Sequence, residues 1–216
     1  MLDRWSLKLV KPPLQQAAKL AVDNNISANQ ISWAGFAIGM CAIPMLALEQ
    51  YGITLLLIAL NRIADGLDGT VARMTQSTEQ GAYLDIVLDF IFYSGIVFGF
   101  ALANPEQNAL AASALIFSFI GTGSSFLAFA ILAEKLKLHS MVYPNKGFYY
   151  LNGITEGTET ILFFVMMCLF PAYFPVIAWL FFALCVVTTV TRVVGGAHTL
   201  AILEKIKQSN TGRHST

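Results

Sequence analysis

The chain has 216 residues, of which 56% are hydrophobic and 12% are charged, whereas a soluble domain usually carries about 25% charged residues. This composition excludes an ordinary soluble domain and predicts an all-α, polytopic membrane protein. The formal net charge is zero, which argues against nucleic acid as a partner. The three cysteines lie in apolar runs without the spacing of a disulfide or a metal site: Cys41, Cys168 and Cys185.

The N-terminal segment, residues 1–26, mixes basic and apolar side chains without a long apolar run. This mixture predicts an amphipathic segment in the membrane interface, with a partly disordered arm as the alternative. Pro12 and Pro13 are expected to divide the segment into two short pieces, because proline lacks the backbone N–H that a helix interior requires. The alternating basic and apolar residues include Arg4, Trp5, Lys8 and Leu9.

Six transmembrane helices are predicted within residues 27–200, each near the ~20 residues that a bilayer requires. Ser27 and Gln30 form a capping-box pattern at the start of the first helix. Residues 201–216 follow the last helix as a cytoplasmic tail. The predicted spans are, approximately, residues 30–48, 53–73, 81–103, 109–134, 153–169 and 176–198.

Lysine and arginine residues predict the orientation of these helices, because they are enriched in cytoplasmic loops. They occur in the N-terminal segment, at Arg73, in the loop of residues 135–152 and in the tail. The three remaining loops, around Glu49, Glu106 and Ala172, contain none. We therefore expect both termini, and the residues near Arg73, on the cytoplasmic side of the membrane.

Four carboxylates stand out on two predicted helices that are joined by the polar turn of residues 74–80. Asp65 and Asp68 are three residues apart, and Asp85 and Asp89 are four apart, so each pair shares one helix face. Antiparallel packing would bring all four together, about 12 Å from the turn at the deep end. Adjacent ionised carboxylates require cations, and oxygen ligands favour Mg²⁺ or Mn²⁺. The sequence therefore predicts a two-metal site.

Two other interpretations of the cluster stay open at this point. The acids could be structural groups that are buried and hydrogen-bonded, although ionisable residues at membrane depth are usually functional. They could also line the pathway of an ion- or proton-coupled transporter, which favours acids near the bilayer midplane, broken helices and internal repeats. Here the acids lie toward one side of the membrane, the predicted helices are expected to run without a proline break, and we see no repeat.

The residues next to the acids indicate what the metals would act on. Gly69 follows Asp68 directly and has no side chain. Ala72, one helical turn later, adds only a methyl group to the same face. Arg73 adds a planar guanidinium whose geometry suits a phosphate group. Metals, a close-approach surface and an arginine together are typical of a site for a nucleotide diphosphate.

This stretch resembles the signature of the CDP-alcohol phosphotransferase family. The family pattern is Asp-x-x-Asp-Gly-x-x-Ala-Arg, a spacer, and Gly-x-x-x-Asp-x-x-x-Asp. Every fixed position is filled, by Asp65, Asp68, Gly69, Ala72, Arg73, Gly81, Asp85 and Asp89. The spacer between Arg73 and Gly81 is one residue shorter than in the commonest family pattern. The chain as a whole is similar to small family members from the bacterial inner membrane.

The resemblance implies an enzyme of phospholipid biosynthesis with its active site on the cytoplasmic side of that membrane. Such an enzyme transfers a substituted phosphate, phosphatidyl in a bacterial member, from CDP-diacylglycerol to a small polar alcohol and releases CMP. The implied ligands of Mg²⁺ or Mn²⁺ are Asp65, Asp68, Asp85 and Asp89. Of these, Asp89 would also be the general base. The implied nucleotide site consists of Gly69, Ala72, Arg73 and Gly81.

Four further polar residues have open roles. Glu156 and Glu159 lie at the start of the fifth predicted helix, where they would either form the acceptor pocket or interact favourably with the helix N-terminus. Arg192 lies inside the sixth predicted helix and would pair with one of these glutamates or bind an acceptor phosphate. Arg62 is expected to face away from Asp65 by roughly 60° around the helix.

Small residues on two of the predicted helices indicate close helix packing. Gly95 and Gly99 form a Gly-x-x-x-Gly pattern on the third predicted helix, and Gly121 lies among small residues on the fourth. Such residues let helix backbones approach each other closely in a membrane. The packing would lie within the protomer or across the interface of a homodimer.

The predicted topology can be tested by labelling single cysteines in a protein from which the native cysteines have been removed. Cysteines at Gln76 and Lys137 should react only with a reagent on the cytoplasmic side, and one at Gln107 only from the opposite side, because lysine and arginine mark cytoplasmic loops. Reaction of the Gln76 and Gln107 positions from the same side would overturn the six-helix topology.

Overall fold

The computed structural model describes residues 3–136, 155 and 157–213, and regular secondary structure in this part of the chain is entirely helical. This confirms the predicted all-α class. A short 3₁₀ turn, Pro171–Tyr173, precedes the last helix. The α-helices are α1 (Asp3–Asp23), α2 (Ala28–Met40), α3 (Ala42–Ala47), α4 (Tyr51–Met74), α5 (Glu79–Ala103), α6 (Pro105–Lys135), α7 (Gly157–Leu169) and α8 (Phe174–Arg213).

The N-terminal segment is one continuous helix, so the predicted division at Pro12 and Pro13 is wrong. Tertiary contacts support the helix beyond the prolines, because Ala18 and Ala21 are buried in a cluster with Val71 of α4. The helix then ends in a Schellman motif: the Ile26 N–H donates to the Ala21 carbonyl at 2.9 Å. A proline pair that would break an isolated helix is thus tolerated where the neighbouring turns are docked.

The first predicted membrane helix is divided into α2 and α3 at Cys41. The cause is Pro44, which has no N–H to donate to the Met40 carbonyl and whose ring crowds that oxygen. The expectation that the predicted helices run without a proline break is therefore wrong. The capping box at the start of α2 is confirmed, with the Gln30 N–H donating to Ser27 Oγ and the Ser27 N–H donating to Gln30 Oε1.

The chain forms two compact units, of which the first contains the described residues of Met1–Ile116 and Gly157–Trp179. Within it, α2 packs against both α4 and α5. Glycine permits this approach: a Cβ added to Gly35 would lie 2.5 Å from the Cβ of Ala64, and one added to Gly39 would lie 2.9 Å from the ring of Phe92. The crossing of α2 and α4 therefore requires the absence of a side chain at Gly35.

The predicted Gly-x-x-x-Gly pattern packs inside the protomer, in the same unit. A Cβ added to Gly95 would lie 2.9 Å from Ile43 Cδ1, and one added to Gly99 would lie 2.8 Å from Leu46 Cδ1. Both partners belong to α3, which packs against α5. The rings of Phe100 and Phe174 stack with centroids 4.6 Å apart and extend the core beyond this contact.

The second unit contains the described residues of Phe117–Glu156 and Leu180–Thr216. In it, the later part of α6 packs against α8: a Cβ added to Gly121 would lie 3.1 Å from Thr189, and the rings of Phe119 and Phe181 meet edge to face at 5.5 Å. Helix α8 continues to Arg213, so it extends well past the end that was predicted near His198.

Among the described residues, four helical stretches are long and apolar enough to cross a membrane: Ala28–Ala47, Glu79–Ala103, Pro105–Lys135 and Pro171–Leu203. The other two predicted spans correspond to α4 and α7. Helix α4 is long enough, but its charged residues lower its hydropathy. The described part of α7 has 13 residues, fewer than the ~20 that span a bilayer. The count of six spans stays a prediction.

The tight crossing at Gly35 can be tested with a pair of glycine substitutions. Gly35→Ala should destabilise the protein by about 1–3 kcal/mol, because the added methyl group overlaps Ala64 and forces α2 away from α4. Gly52→Ala is the matched control: no atom lies within 4 Å of its added Cβ and its φ is not positive, so alanine should stabilise the protein by about 0.4–1 kcal/mol by restricting the unfolded chain. Melting temperatures in detergent should therefore shift in opposite directions; an unchanged or raised value for Gly35→Ala would contradict the close crossing.

Candidate active site

The four motif carboxylates line one small cavity beside α2. Asp65 and Asp68 come from α4, and Asp85 and Asp89 come from α5. Asp65, Asp68 and Asp85 each present an oxygen, and these oxygens all lie within 4.8 Å of one another. A set of carboxylate oxygens at this spacing suits a hard divalent cation such as Mg²⁺ or Mn²⁺. The donor set therefore fits the predicted metals.

Asp89 makes a different set of contacts from the other three acids. Both of its oxygens accept hydrogen bonds from the Arg62 guanidinium, Oδ1 from Nη2 at 2.6 Å and Oδ2 from Nη1 at 3.3 Å. The Tyr93 hydroxyl also donates to Oδ2 at 2.7 Å. The Nη1 atom of Arg62 additionally lies 3.5 Å from Asp65 Oδ2. One guanidinium thus connects Asp65 of α4 with Asp89 of α5.

The expectation that Arg62 faces away from Asp65 is wrong. Helical periodicity places the Cβ atoms of Arg62 and Asp65 about 60° apart, but the long arginine side chain bends back into the acid cluster. The charge of Asp89 and the face of the Phe92 ring, 5.1 Å from the guanidinium carbon, hold it there. The spacing of three residues between Arg62 and Asp65, which allows an ion pair on one helix, was the available signal.

Ser32 of α2 is a site residue that the motif does not contain. Its Oγ lies 2.5 Å from Asp68 Oδ2 and donates to it, which satisfies an oxygen of a buried carboxylate. Asp68 is 8% exposed, and a buried acid without a donor would be costly. Ser32 and Asp68 are 36 residues apart in the chain, so no local spacing pointed to this contact.

The residues predicted to bind the nucleotide line a cleft of about 690 Å³ that also contains Asp65, Asp68 and Asp85. This volume is in the range of small-molecule sites. The exposed Arg73 guanidinium donates to Thr70 Oγ1 at 3.1 Å. The predicted residues that share this cleft are Gly69, Ala72, Arg73 and Gly81.

Gly69 and Gly81 leave space at the wall of the cleft for neighbouring polar side chains. A Cβ added to Gly69 would lie 3.3 Å from Arg73 Nη1, so a side chain there would restrict the guanidinium. A Cβ added to Gly81 would lie 3.2 Å from Thr78 Oγ1. That hydroxyl caps α5 by accepting the Gly81 N–H at 3.0 Å. Gly81 therefore belongs to the first turn of α5, as the sequence predicted.

The remaining predicted residues have different positions. Glu156 lies outside the described residues, and Glu159 lies in the first turn of α7. Arg192 belongs to the second unit, where its Nη1 donates to the Thr122 carbonyl at 3.2 Å and its guanidinium carbon lies 5.5 Å from the ring of Phe126. The sequence had predicted a glutamate or an acceptor phosphate as the partner of Arg192, and not a backbone carbonyl.

The chain is similar in sequence to known proteins. The family model described as CDP-alcohol phosphatidyltransferase matches residues 25–191. The inner membrane protein YnjF of Escherichia coli (strain K12) is 53% identical over 95% of this chain and 100% of its own length. Archaetidylinositol phosphate synthase of Pyrococcus horikoshii is 31% identical over 44% of this chain and 51% of its own length.

One solved structure shows a similar fold. The crystal structure of Mycobacterium tuberculosis phosphatidylinositol phosphate synthase (PgsA1), with CDP-DAG bound, matches with a TM-score of 0.64 and 16% sequence identity. The match covers 85% of this chain and 92% of that one. The resemblance inferred from the motif is therefore confirmed by sequence and by fold. The chain belongs to the CDP-alcohol phosphatidyltransferase family, an enzyme family that transfers substituted phosphate groups.

Proposed function

We propose that this enzyme transfers a phosphatidyl group from CDP-diacylglycerol to a small polar alcohol and releases CMP, as a step of phospholipid biosynthesis. The observation that carries the proposal is the group of three carboxylates, with oxygens within 4.8 Å of one another, in the wall of the cleft that holds Arg73. Membership in the family supports the reaction class. A cleft that joins acids to an arginine suits a metal-bound diphosphate.

The donor side of the proposal rests on the cleft residues. Arg73 would bind a phosphate oxygen of the diphosphate, and Gly69 and Ala72 would leave room for the nucleotide beside it. Gly81 would keep the entry of α5 open. The mycobacterial structure has CDP-DAG bound, which supports a CDP-linked lipid as the donor for a chain of the same fold.

The metal site is proposed to hold two ions of Mg²⁺ or Mn²⁺. Asp65, Asp68 and Asp85 would be ligands. The motif implies Asp89 as a fourth ligand, but Arg62 and Tyr93 leave it one open oxygen position, which its proposed role as base would use. Ser32 would orient Asp68 by its hydrogen bond. When bound, such ions neutralise the diphosphate and stabilise the charge that develops on the CMP leaving group.

Asp89 is proposed as the general base. It would accept the proton of the acceptor hydroxyl while the hydroxyl oxygen forms a bond to the β-phosphorus of the donor. The bond between that phosphorus and the CMP oxygen breaks, and CMP leaves with the bonding electrons. Asp89 lies at the end of the cluster nearer the interior of α5, where an acceptor could approach opposite the leaving group.

The acceptor is proposed to be a small polar alcohol. Glycerol phosphate, inositol phosphate, serine and a phospholipid headgroup all fit this description. The name of the Pyrococcus horikoshii relative gives archaetidylinositol phosphate as the product of that protein, and this supports a phosphorylated alcohol as the acceptor here. A panel of these alcohols with labelled CDP-diacylglycerol would identify the acceptor through the lipid product and CMP.

The proposed location is the bacterial inner membrane, with the termini and the active site on the cytoplasmic side. The name of the Escherichia coli relative supports the membrane, and the distribution of lysine and arginine supports the sidedness. The site would then meet nucleotide from the cytosol while the lipid tails stay in the bilayer. The earlier alternative of a coupled transporter predicts broken helices, and one break occurs at Cys41, but membership in an enzyme family decides against it.

Metal dependence is the first test of this function. A chelator should abolish CMP release from CDP-diacylglycerol, because three adjacent carboxylates and a diphosphate repel each other without cations. Addition of Mg²⁺ or Mn²⁺ in excess of the chelator should restore it. Full turnover in excess chelator would contradict the metal site.

A comparison of two aspartate variants separates the base from the metal ligands. Asp89→Asn keeps the shape of the side chain but removes the proton acceptor, so turnover should fall by about 10²–10⁴-fold with little loss of donor affinity. Asp68→Asn should weaken metal and donor binding together. Turnover and affinity for a CDP donor, measured at saturating metal, distinguish the two. Near wild-type turnover by Asp89→Asn would show that another group is the base.

A further inference from the structure

The Asp89 carboxylate is almost fully engaged by two residues outside the family motif. A carboxylate offers about four acceptor positions. Arg62 Nη2 occupies one on Oδ1, Arg62 Nη1 occupies one on Oδ2, and the Tyr93 hydroxyl occupies the second on Oδ2. Within the part of the chain that the structure describes, no donor occupies the second position on Oδ1, so that position is left for a proton or a ligand. The carboxylate can therefore present that position in one orientation only.

Arg62 is itself held in place from its other side. Asn61 Oδ1 accepts hydrogen bonds from Arg62 Nε at 2.9 Å and from Nη2 at 2.7 Å. The Asn61 amide in turn donates to the Gly35 carbonyl of α2 at 3.0 Å, and Asn61 is 5% exposed. The guanidinium also lies against the rings of Phe92 and Tyr93, at 5.1 and 5.5 Å. The buried Asn61 side chain and the two aromatic rings thus hold the Arg62 guanidinium in the orientation that binds Asp89.

We infer that Arg62, together with Tyr93, is a positioning residue that holds the Asp89 carboxylate with one Oδ1 position directed to the reacting hydroxyl. The inference rests on the proposed function, in which Asp89 accepts the hydroxyl proton. The two hydrogen bonds of Arg62 to the acids, at 2.6 and 3.3 Å, are both to Asp89, whereas its Nη1 lies 3.5 Å from Asp65 Oδ2. Donor affinity separates an effect through Asp89 from one through Asp65, because a disturbed metal ligand would lower it. A planar fork with two N–H groups suits this task, whereas a lysine would hold the carboxylate by a single point charge.

The matched pair for a test is Arg62→Gln and Arg73→Gln, since both arginines belong to α4. Arg62→Gln should lower turnover by about 10- to 100-fold, because a misplaced catalytic group costs up to about this factor, and should leave donor affinity near the wild-type value. Arg73→Gln should instead lower donor affinity more than turnover. Arg62→Lys should recover part of the turnover. Unchanged turnover in Arg62→Gln, or a loss of donor affinity as large as in Arg73→Gln, would overturn the positioning role.

A double variant shows whether Arg62 acts through Asp89. Once Asp89→Asn has removed the base, loss of its positioning residue should cost nothing more, so Arg62→Gln/Asp89→Asn should turn over as slowly as Asp89→Asn alone. A further loss in the double variant, equal to that of Arg62→Gln by itself, would show an independent role and overturn the inference.

Tyr93→Phe covers the case in which Arg62→Gln fails to fold. It keeps the ring and removes the one hydroxyl that donates to Asp89 Oδ2, so turnover should fall with donor affinity unchanged. Unchanged turnover in Tyr93→Phe would then overturn the inference. Wild-type protein that releases no CMP with any acceptor would contradict the proposed function instead. In that case the melting temperatures of Arg62→Gln, Asp89→Asn and the double variant are compared. Additive decreases in melting temperature would overturn the positioning contact, and non-additive decreases would support it.

Discussion

The site depends on one electrostatic constraint, the placement of four carboxylates around a single small cavity among apolar helices. Buried charge is costly unless it is paired. The Arg62 guanidinium offsets one of the four charges and contacts two of the acids, Asp65 and Asp89. The charges of three carboxylates then remain, and a donor diphosphate would add two more negative charges. Two divalent cations and Arg73 would offset all of them. With these ions the charges of the site would balance those of the proposed substrate.

Helix α2 organises this cluster although it carries none of the motif residues. Ser32 donates to Asp68, and one turn later Gly35 lies against Ala64 and accepts a hydrogen bond from Asn61. Asn61 in turn holds Arg62, so both ends of the cluster are tied to α2. The close crossing at Gly35 thus serves packing and electrostatics at once, because a larger residue would move the helix that supplies these contacts.

The features that depend on local chemistry could be predicted from the order of the residues alone. The motif spacing placed Asp65, Asp68 and Asp85 together and predicted the family, because residues three or four apart share a helix face. The Ser27 capping box and the Gly-x-x-x-Gly contact at Gly95 were also predicted from spacings of three and four residues. The family motif, by contrast, implied the proposed nucleotide site, whose residues line one cleft: Gly69, Ala72, Arg73 and Gly81. The polar composition of residues 74–80 also predicted the turn between α4 and α5.

The side chains that support the acids could not be predicted in this way, because they depend on contacts between residues that are distant in the chain. Ser32 reaches Asp68 across 36 residues, and Arg62 reaches Asp89 across 27, so neither contact leaves a periodic signal in the chain. The prolines were misjudged for a related reason: Pro12 and Pro13 lie in a helix that is docked on α4, whereas Pro44 divides a helix at Cys41. Local rules state what a proline or an arginine can do, but the neighbours brought by folding decide which of those possibilities has the lowest free energy.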